Sequence, residues 1–291
     1  MMQRLLSVLI LLAVIWWISE RPMSWMALYP RVWGSRLAGR IASLPLPRVL
    51  REPALGLFVN HYQVNVDEAE KNLTEYPSLQ DFFTRKLKTG LRPQEAPTLG
   101  YLNSPVDGTI LSEGRIHQGA LFQAKGKTYA LGELLLNESN LEVFEGGDFM
   151  TIYLAPYNYH RFHMPCEARV TSLRALDGDL WPVNEKAVSH VDQLYVKNKR
   201  SVLRLKTAEG LEIALVFVGA THVGHIRILP EWQQASDRQA KAGDEIGQFE
   251  FGSTVVVLIG GSGAPRWKAV KKSGIIKVGQ RLGARSEQEN N

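Results

Sequence analysis

Three textures of apolar and polar positions follow one another along the chain. Residues 5-LLSVLILLAVIWWI-18 are an apolar run with one hydroxyl and no charge. From 31 to 41, Arg31, Arg36 and Arg40 interleave with Val32, Leu37, Ala38 and Ile41, as in an amphipathic helix. The stretch 67-DEAEKNLTEYPSLQDFFTRKLKTGLRP-93 also reads as helical. Pro77 suits a first turn, Leu79, Phe82, Phe83 and Leu87 form an apolar set, and Gly90 and Pro93 end it. Beyond about residue 95 the period shortens. The runs 149–155, 168–173, 201–207, 212–220, 223–228, 254–260 and 274–280 are short, rich in β-branched residues and separated by Gly, Asn and Asp turns. That texture predicts a mostly antiparallel β domain. The expected fold is therefore α+β: an N-terminal helical region over 1–60, a helical connector over 61–94 and a β-rich domain over 95–291. There is no internal repeat, and the tail after Gly283 is polar.

Charge sharpens the reading of the first segment. The net charge is +5, and seven arginines against two glutamates in residues 1–60 account for all of it. The rest of the chain balances, which argues against a nucleic-acid reader carrying its basic surface on the folded domain. Trp16, Trp17, Trp25 and Trp33 are four of the chain's seven tryptophans. Indole rings favour the headgroup level of a bilayer, and arginines favour anionic lipid. As a helix, 5–18 would cover roughly 21 Å against a hydrocarbon core of roughly 30 Å. Its end, 16-WWISERP-22, lacks the small residues of a signal-peptide cleavage site. The segment reads as a membrane-surface anchor. A full span and a buried helix of a soluble protein are the alternatives. The one cysteine, Cys166, excludes an intrachain disulfide framework and a CxxC site, and reads as a small packed hydrophobe.

Three stretches of the β region carry polar residues that need explaining: 103-NSPVDGTI-110, 153-YLAPYNYHRFHMP-165 and Gly252-Ser253-Thr254. Asp107 could be a turn residue. His160 and His163 could be core residues, a catalytic pair or, with Asp107, zinc ligands. Ser253 could merely open a strand, as it would in a membrane-tethered β-rich binding module. Together they supply the carboxylate, imidazole and hydroxyl that activate a serine. No GxSxG elbow is present. The glycine before Ser253 leaves the preceding carbonyl open to attack and permits backbone strain there.

The blocks Pro105–Gly108, Tyr159–Pro165, Gly178-Asp179-Leu180 and Phe251–Val255, with 123-QAKGKTYAL-131 and 218-VGATHVG-224, occur in one order over residues 55–283. In these the sequence resembles the bacterial, membrane-associated phosphatidylserine decarboxylase proenzymes. The resemblance implies that Ser253 attacks the Gly252 carbonyl, with Asp107 and His163 as the acid and base that activate it. Self-cleavage at 252/253 would leave a large chain, 1–252, and a small chain, 253–291, opening with a pyruvoyl group made from Ser253. That covalent pyruvate would be the cofactor, with no metal, joining the phosphatidylserine amine as a Schiff base and drawing electrons as CO2 leaves. The resemblance also implies that His160 assists decarboxylation and product protonation, and that Trp181 and Val183 lie in an apolar pocket loop. It implies phosphatidylserine in the membrane as partner, a homodimer, and a place on the cytoplasmic face of the bacterial inner membrane. His222 and His225 fall outside the pattern and read as partly exposed strand residues, with an extra pocket pair as the alternative.

Overall fold

The computed structural model describes residues 10, 13, 23–95, 101–122, 127–221, 225–234, 237–250, 252–261, 267–269 and 272–285. The apolar run at 5–18 lies outside them apart from residues 10 and 13. Among the described residues, no helix is long and apolar enough to cross a membrane. The chain opens with α1 (Met23–Leu28), α2 (Arg31–Ala42) and α3 (Arg48–Tyr62). In α2 the small residues Gly34, Ser35, Ala38 and Ala42 are buried. Trp33 on the same helix is 65% exposed, and Leu37 is 41% exposed. Ala38, Ala42, Leu55 and Phe58 pack on Tyr76, Leu79, Phe82 and Phe83.

The expected helix over 67–93 is not formed. Only α4 (Leu79–Phe83) is α-helical there, beside a 3-10 turn at Leu73–Glu75. Pro77 cannot continue a helix, and the Ser78 side chain caps a new start by accepting from the Asp81 N–H. The chain then extends, with Leu87 bridging to Ala69. The apolar set was a burial signal rather than a helix signal: Leu79, Phe82 and Phe83 are fully buried.

The remainder is α+β with antiparallel strand pairing, as expected. Its strands are β1 (Tyr101–Asn103), β2 (Gly108–His117), β3 (Ala120–Phe122), β4 (Thr128–Ala130), β5 (Asp148–Leu154) and β6 (Arg161–His163). They continue with β7 (Ala168–Leu176), β8 (Arg200–Lys206), β9 (Leu211–Val218), β10 (Ile226–Ile228) and β11 (Gln239–Ala240). The last are β12 (Glu245–Phe249), β13 (Ser253–Gly261), β14 (Trp267–Ala269), β15 (Gly274–Ile276) and β16 (Arg281–Arg285). The large sheet runs β11-β7-β8-β9-β13-β5-β2-β3-β4, with β15 added to β2; β10-β12-β6 and β1-β16-β14 form two small sheets.

β13 lies in the middle, between β9 and β5, and both its faces are dry. Val255, Val257 and Ile259 join one core with Phe162 and Phe249 of the β6–β12 sheet. Val256 and Leu258 join the other, with Leu134, Ala187, Leu194 and Tyr195. Side chains alternate along a strand, so one continuous apolar run fills two cores.

Candidate active site

The register of three strands brings the sequence blocks to one end of the large sheet. Thr254 on β13 pairs with Tyr153 on β5, which pairs with Thr109 on β2. Beyond that row, Ser253 pairs with Leu154, and β2 begins at Gly108, next to Asp107. Gly108 is required there: a Cβ would sit 2.5 Å from the Tyr153 carbonyl oxygen.

Ser253 is fully buried, and its Oγ has no hydrogen-bond partner. By alternation it faces the core that holds Phe162 and Phe249. A bare buried hydroxyl costs about 1–3 kcal/mol, so a sequence keeps one for a reason other than stability. The strain expected at Gly252 is not present. Its φ lies outside the left-handed region, and a Cβ would meet only the Leu154 carbonyl oxygen, at 3.8 Å. Neither the backbone φ nor the space around it therefore requires a glycine at 252.

Asp107 is more than a turn residue. Its carboxylate accepts from Arg92 Nε at 2.9 and 3.1 Å, from Arg92 Nη2 at 2.6 Å and from the Val278 N–H at 2.8 Å. Arg92 also donates to Glu68, which accepts from Lys277. The 103–107 segment lies along β6: the Asn103 N–H donates to the Pro165 carbonyl and the His163 N–H to the Pro105 carbonyl, each at 2.9 Å. Asp107 and His163 are thus neighbours through the backbone, but no hydrogen bond joins their side chains among the described residues.

His163 has its own partners. Nδ1 is 3.0 Å from the Gly243 carbonyl, which can only accept, so Nδ1 carries the proton. Nε2 then accepts from the Tyr159 hydroxyl at 3.0 Å. Burial lowers the pKa of His163.

His160 is fully buried and donates from Nδ1 to the Asn158 carbonyl at 2.8 Å. Its Nε2 is therefore a bare lone pair, and it has no partner. Burial, then the charge of Arg85, pushes its pKa down to about 3. Phe83 of α4 lies against the ring, centroid to centroid 4.0 Å. The Phe249 N–H donates to the His160 carbonyl, and Gln80 donates to the Glu250 carbonyl. These bonds tie α4, the 155–160 loop and the approach to Ser253 together. The sequence had suggested neither Phe83 nor Arg85 nor Arg92 as part of the site. The signal available was the FFTR run, whose apolar pair is followed two residues on by a charge.

Trp181 is placed by Asn198, which accepts from its N–H at 2.9 Å and donates to its carbonyl and to that of Gly219 at 2.8 Å. Gly219 follows Val218, the partner of Thr254, so this loop stands at the same end of the sheet. The Arg31 guanidinium lies 3.8 Å over the Trp181 ring and pairs with Asp179 at 2.9 and 2.6 Å. Val183 is buried in the core on the Thr254 face, opposite Ser253. Cys166 packs against the other core, and burial pushes its thiol up to about 12. His225 is exposed just before β10, and His222 lies outside the described residues. Among the described residues, no three His, Cys, Asp or Glu side chains form a group that could hold a metal.

The family model described as phosphatidylserine decarboxylase matches residues 79–284. The phosphatidylserine decarboxylase proenzyme of Brevibacillus brevis is 37% identical over 262 residues, covering 85% of this chain and 92% of its own. That of Psychrobacter cryohalolentis is 38% identical over 261 residues, covering 86% and 93%. That of Myxococcus xanthus is 34% identical over 273 residues, covering 90% and 97%.

Proposed function

The chain belongs to the phosphatidylserine decarboxylase family, and on that premise we propose that it is a carboxy-lyase made as a proenzyme, which cuts itself at Gly252-Ser253 and then converts phosphatidylserine to phosphatidylethanolamine and CO2. The observation that carries the reading is Ser253: a buried hydroxyl with no partner, directly after a glycine.

In the cleavage, Ser253 Oγ loses its proton and attacks the Gly252 carbonyl, and the amide becomes an ester. Loss of the α-proton of residue 253 expels the Gly252 carboxylate and leaves a dehydroalanine. Water hydrolyses its tautomer to the keto group, releasing ammonia. Asp107 and His163 are assigned to the proton transfers. In the uncut chain each is held elsewhere, Asp107 by Arg92 and His163 by Tyr159 and Gly243. Engagement requires His163 to exchange the Tyr159 hydroxyl for Ser253.

A pyruvoyl group at 253 supplies the carbonyl that withdraws electrons as the carboxylate departs. The site suits it, because residue 253 is fully buried and its Oγ, which departs in the Gly252 carboxylate, is held by no other bond, while the keto oxygen comes from water. His160 is assigned to the proton that replaces CO2, which it must first take up on Nε2. Its Nε2 is a free base in a dry site, and Nδ1, fixed on Asn158, sets the ring.

The substrate is a lipid, so the site must work at a bilayer. Trp33, Leu37, Val49 and Leu57 of α2 and α3 are exposed among the arginines 36, 40 and 48. This surface is assigned to the membrane, at the cytoplasmic face of the bacterial inner membrane. Carboxyl-labelled phosphatidylserine in vesicles tests the function. The wild-type chain should release labelled CO2 and the Ser253→Ala chain none. Equal release by both would overturn the assignment of Ser253.

A further inference from the structure

Three arginines are buried among the described residues, and one of them differs from the others. Arg200 is 3% exposed and donates from Nε, Nη1 and Nη2 to the carbonyls of Leu134, Val196, Asn198 and Glu133. Arg204 donates to the carbonyls of Ser139 and Asn140, with Glu138 and Glu212 at 3.7 and 3.9 Å. Arg85 is 4% exposed and donates only from Nη2, to the carbonyls of Tyr157 and Asn158 at 3.0 and 3.4 Å. Its Nε and Nη1 are buried with no partner. Among the described residues no carboxylate forms an ion pair with it. A buried cation with no ion pair is costly, and Nε and Nη1, which lie on different edges of the guanidinium, each leave an N–H free to donate to an oxyanion.

The place of Arg85 says which oxyanion. Arg85 Nη2 and His160 Nδ1 share the Asn158 carbonyl as acceptor, so the guanidinium stands beside the catalytic imidazole. Phe83, two residues before Arg85, covers that imidazole. The headgroup of a serine phospholipid carries two oxyanions, a carboxylate and a phosphodiester. The carboxylate leaves as neutral CO2, so a cation gripping it would hold the ground state more tightly than the transition state. The phosphodiester keeps its charge throughout. We infer that Arg85 binds the phosphodiester of the substrate headgroup, through one of these two idle donors, and thereby sets the amino acid portion against residue 253 and His160. The inference rests on the decarboxylase reading for its substrate, but its test does not rest on turnover.

The experiment uses soluble short-chain lipids, which take the membrane surface out of the measurement. Binding of short-chain phosphatidylethanolamine, which has the phosphodiester and no carboxylate, is measured by calorimetry on the uncut Ser253→Ala chain with and without Arg85→Gln. Loss of a charge-assisted contact should weaken binding about 10- to 100-fold. In the processed enzyme, Arg85→Gln should raise the KM for short-chain phosphatidylserine and the inhibition constant of short-chain phosphatidylethanolamine by the same factor. If Arg85→Gln does not accumulate folded, Arg85→Lys takes its place. It keeps the charge with a different donor geometry, and about a tenfold weakening of both is expected. Unchanged phosphatidylethanolamine binding in a folded variant would overturn the inference, whether because Arg85 holds the carboxylate or because it is only structural. Absence of CO2 release by the wild type would instead refute the decarboxylase reading and leave the binding result standing.

Discussion

At the scale of the residue, the site is a set of polar groups left deliberately dry. Ser253 Oγ, His160 Nε2 and two nitrogens of Arg85 are all buried without a partner. Gly252 separates chemistry from folding. A Cβ there meets no close neighbour, so Gly252→Ala should change stability by less than about 1 kcal/mol by thermal unfolding while slowing cleavage on a gel. An alanine variant that unfolds would mean the glycine is structural after all. Asp107→Asn breaks an ion pair whose side chains are 5% and 10% exposed. In the Ser253→Ala chain it should cost about 3 kcal/mol in denaturant unfolding; a turn residue alone would cost far less. His160 and His163 both have lowered pKa values, His160 to about 3. The unfolded chain binds their protons below about pH 6.5 while the folded chain does not, so stability must fall as pH drops from there toward about 3. Thermal unfolding of the Ser253→Ala chain at pH 7 and pH 5 reads this, and His160→Gln should reduce the difference.

At the scale of the element, what was legible followed burial. Runs buried on both faces, such as β9 and β13, are near-continuous hydrophobics and announce themselves. β6 and β12 do not. Arg161-Phe162-His163 places one side chain in the core, and Gly247 in β12 leaves room for the Phe162 ring. The stretch 67–93 misled because its apolar spacing is helical while Pro77 and Ser78 restart the chain and the next residues extend. The blocks assigned to catalysis could be read because each is a turn or strand end with polar residues close in sequence. Arg85 and Arg92 could not, because only the packing of the 79–92 segment brings them to the site. The amphipathic helix over 31–41 is present, and its exposed side makes a prediction. Trp33→Ser with Leu37→Ser should weaken binding to anionic vesicles at least tenfold by sedimentation without unfolding the chain. Unaltered binding would remove α2 from the membrane surface.

At the scale of the whole molecule, the bond proposed to break lies at the mouth of the central strand. β13 is paired along both edges, Ser253 to Gly261, with β5 and β9. β15 pairs with β2, and β16 with β1. A cut before Ser253 therefore removes one peptide bond and leaves the sheet intact, so the two chains should elute together in native gel filtration and separate only in denaturant. The most direct test of the account is the intact mass of the purified protein beside its Ser253→Ala version. The account predicts two chains, 1–252 and 253–291, with the short one starting in a keto group and having no N-terminal amine, and an alanine version that stays whole at 32.6 kDa. A folded wild-type chain that remains uncut and unmodified while releasing CO2 from phosphatidylserine would contradict it.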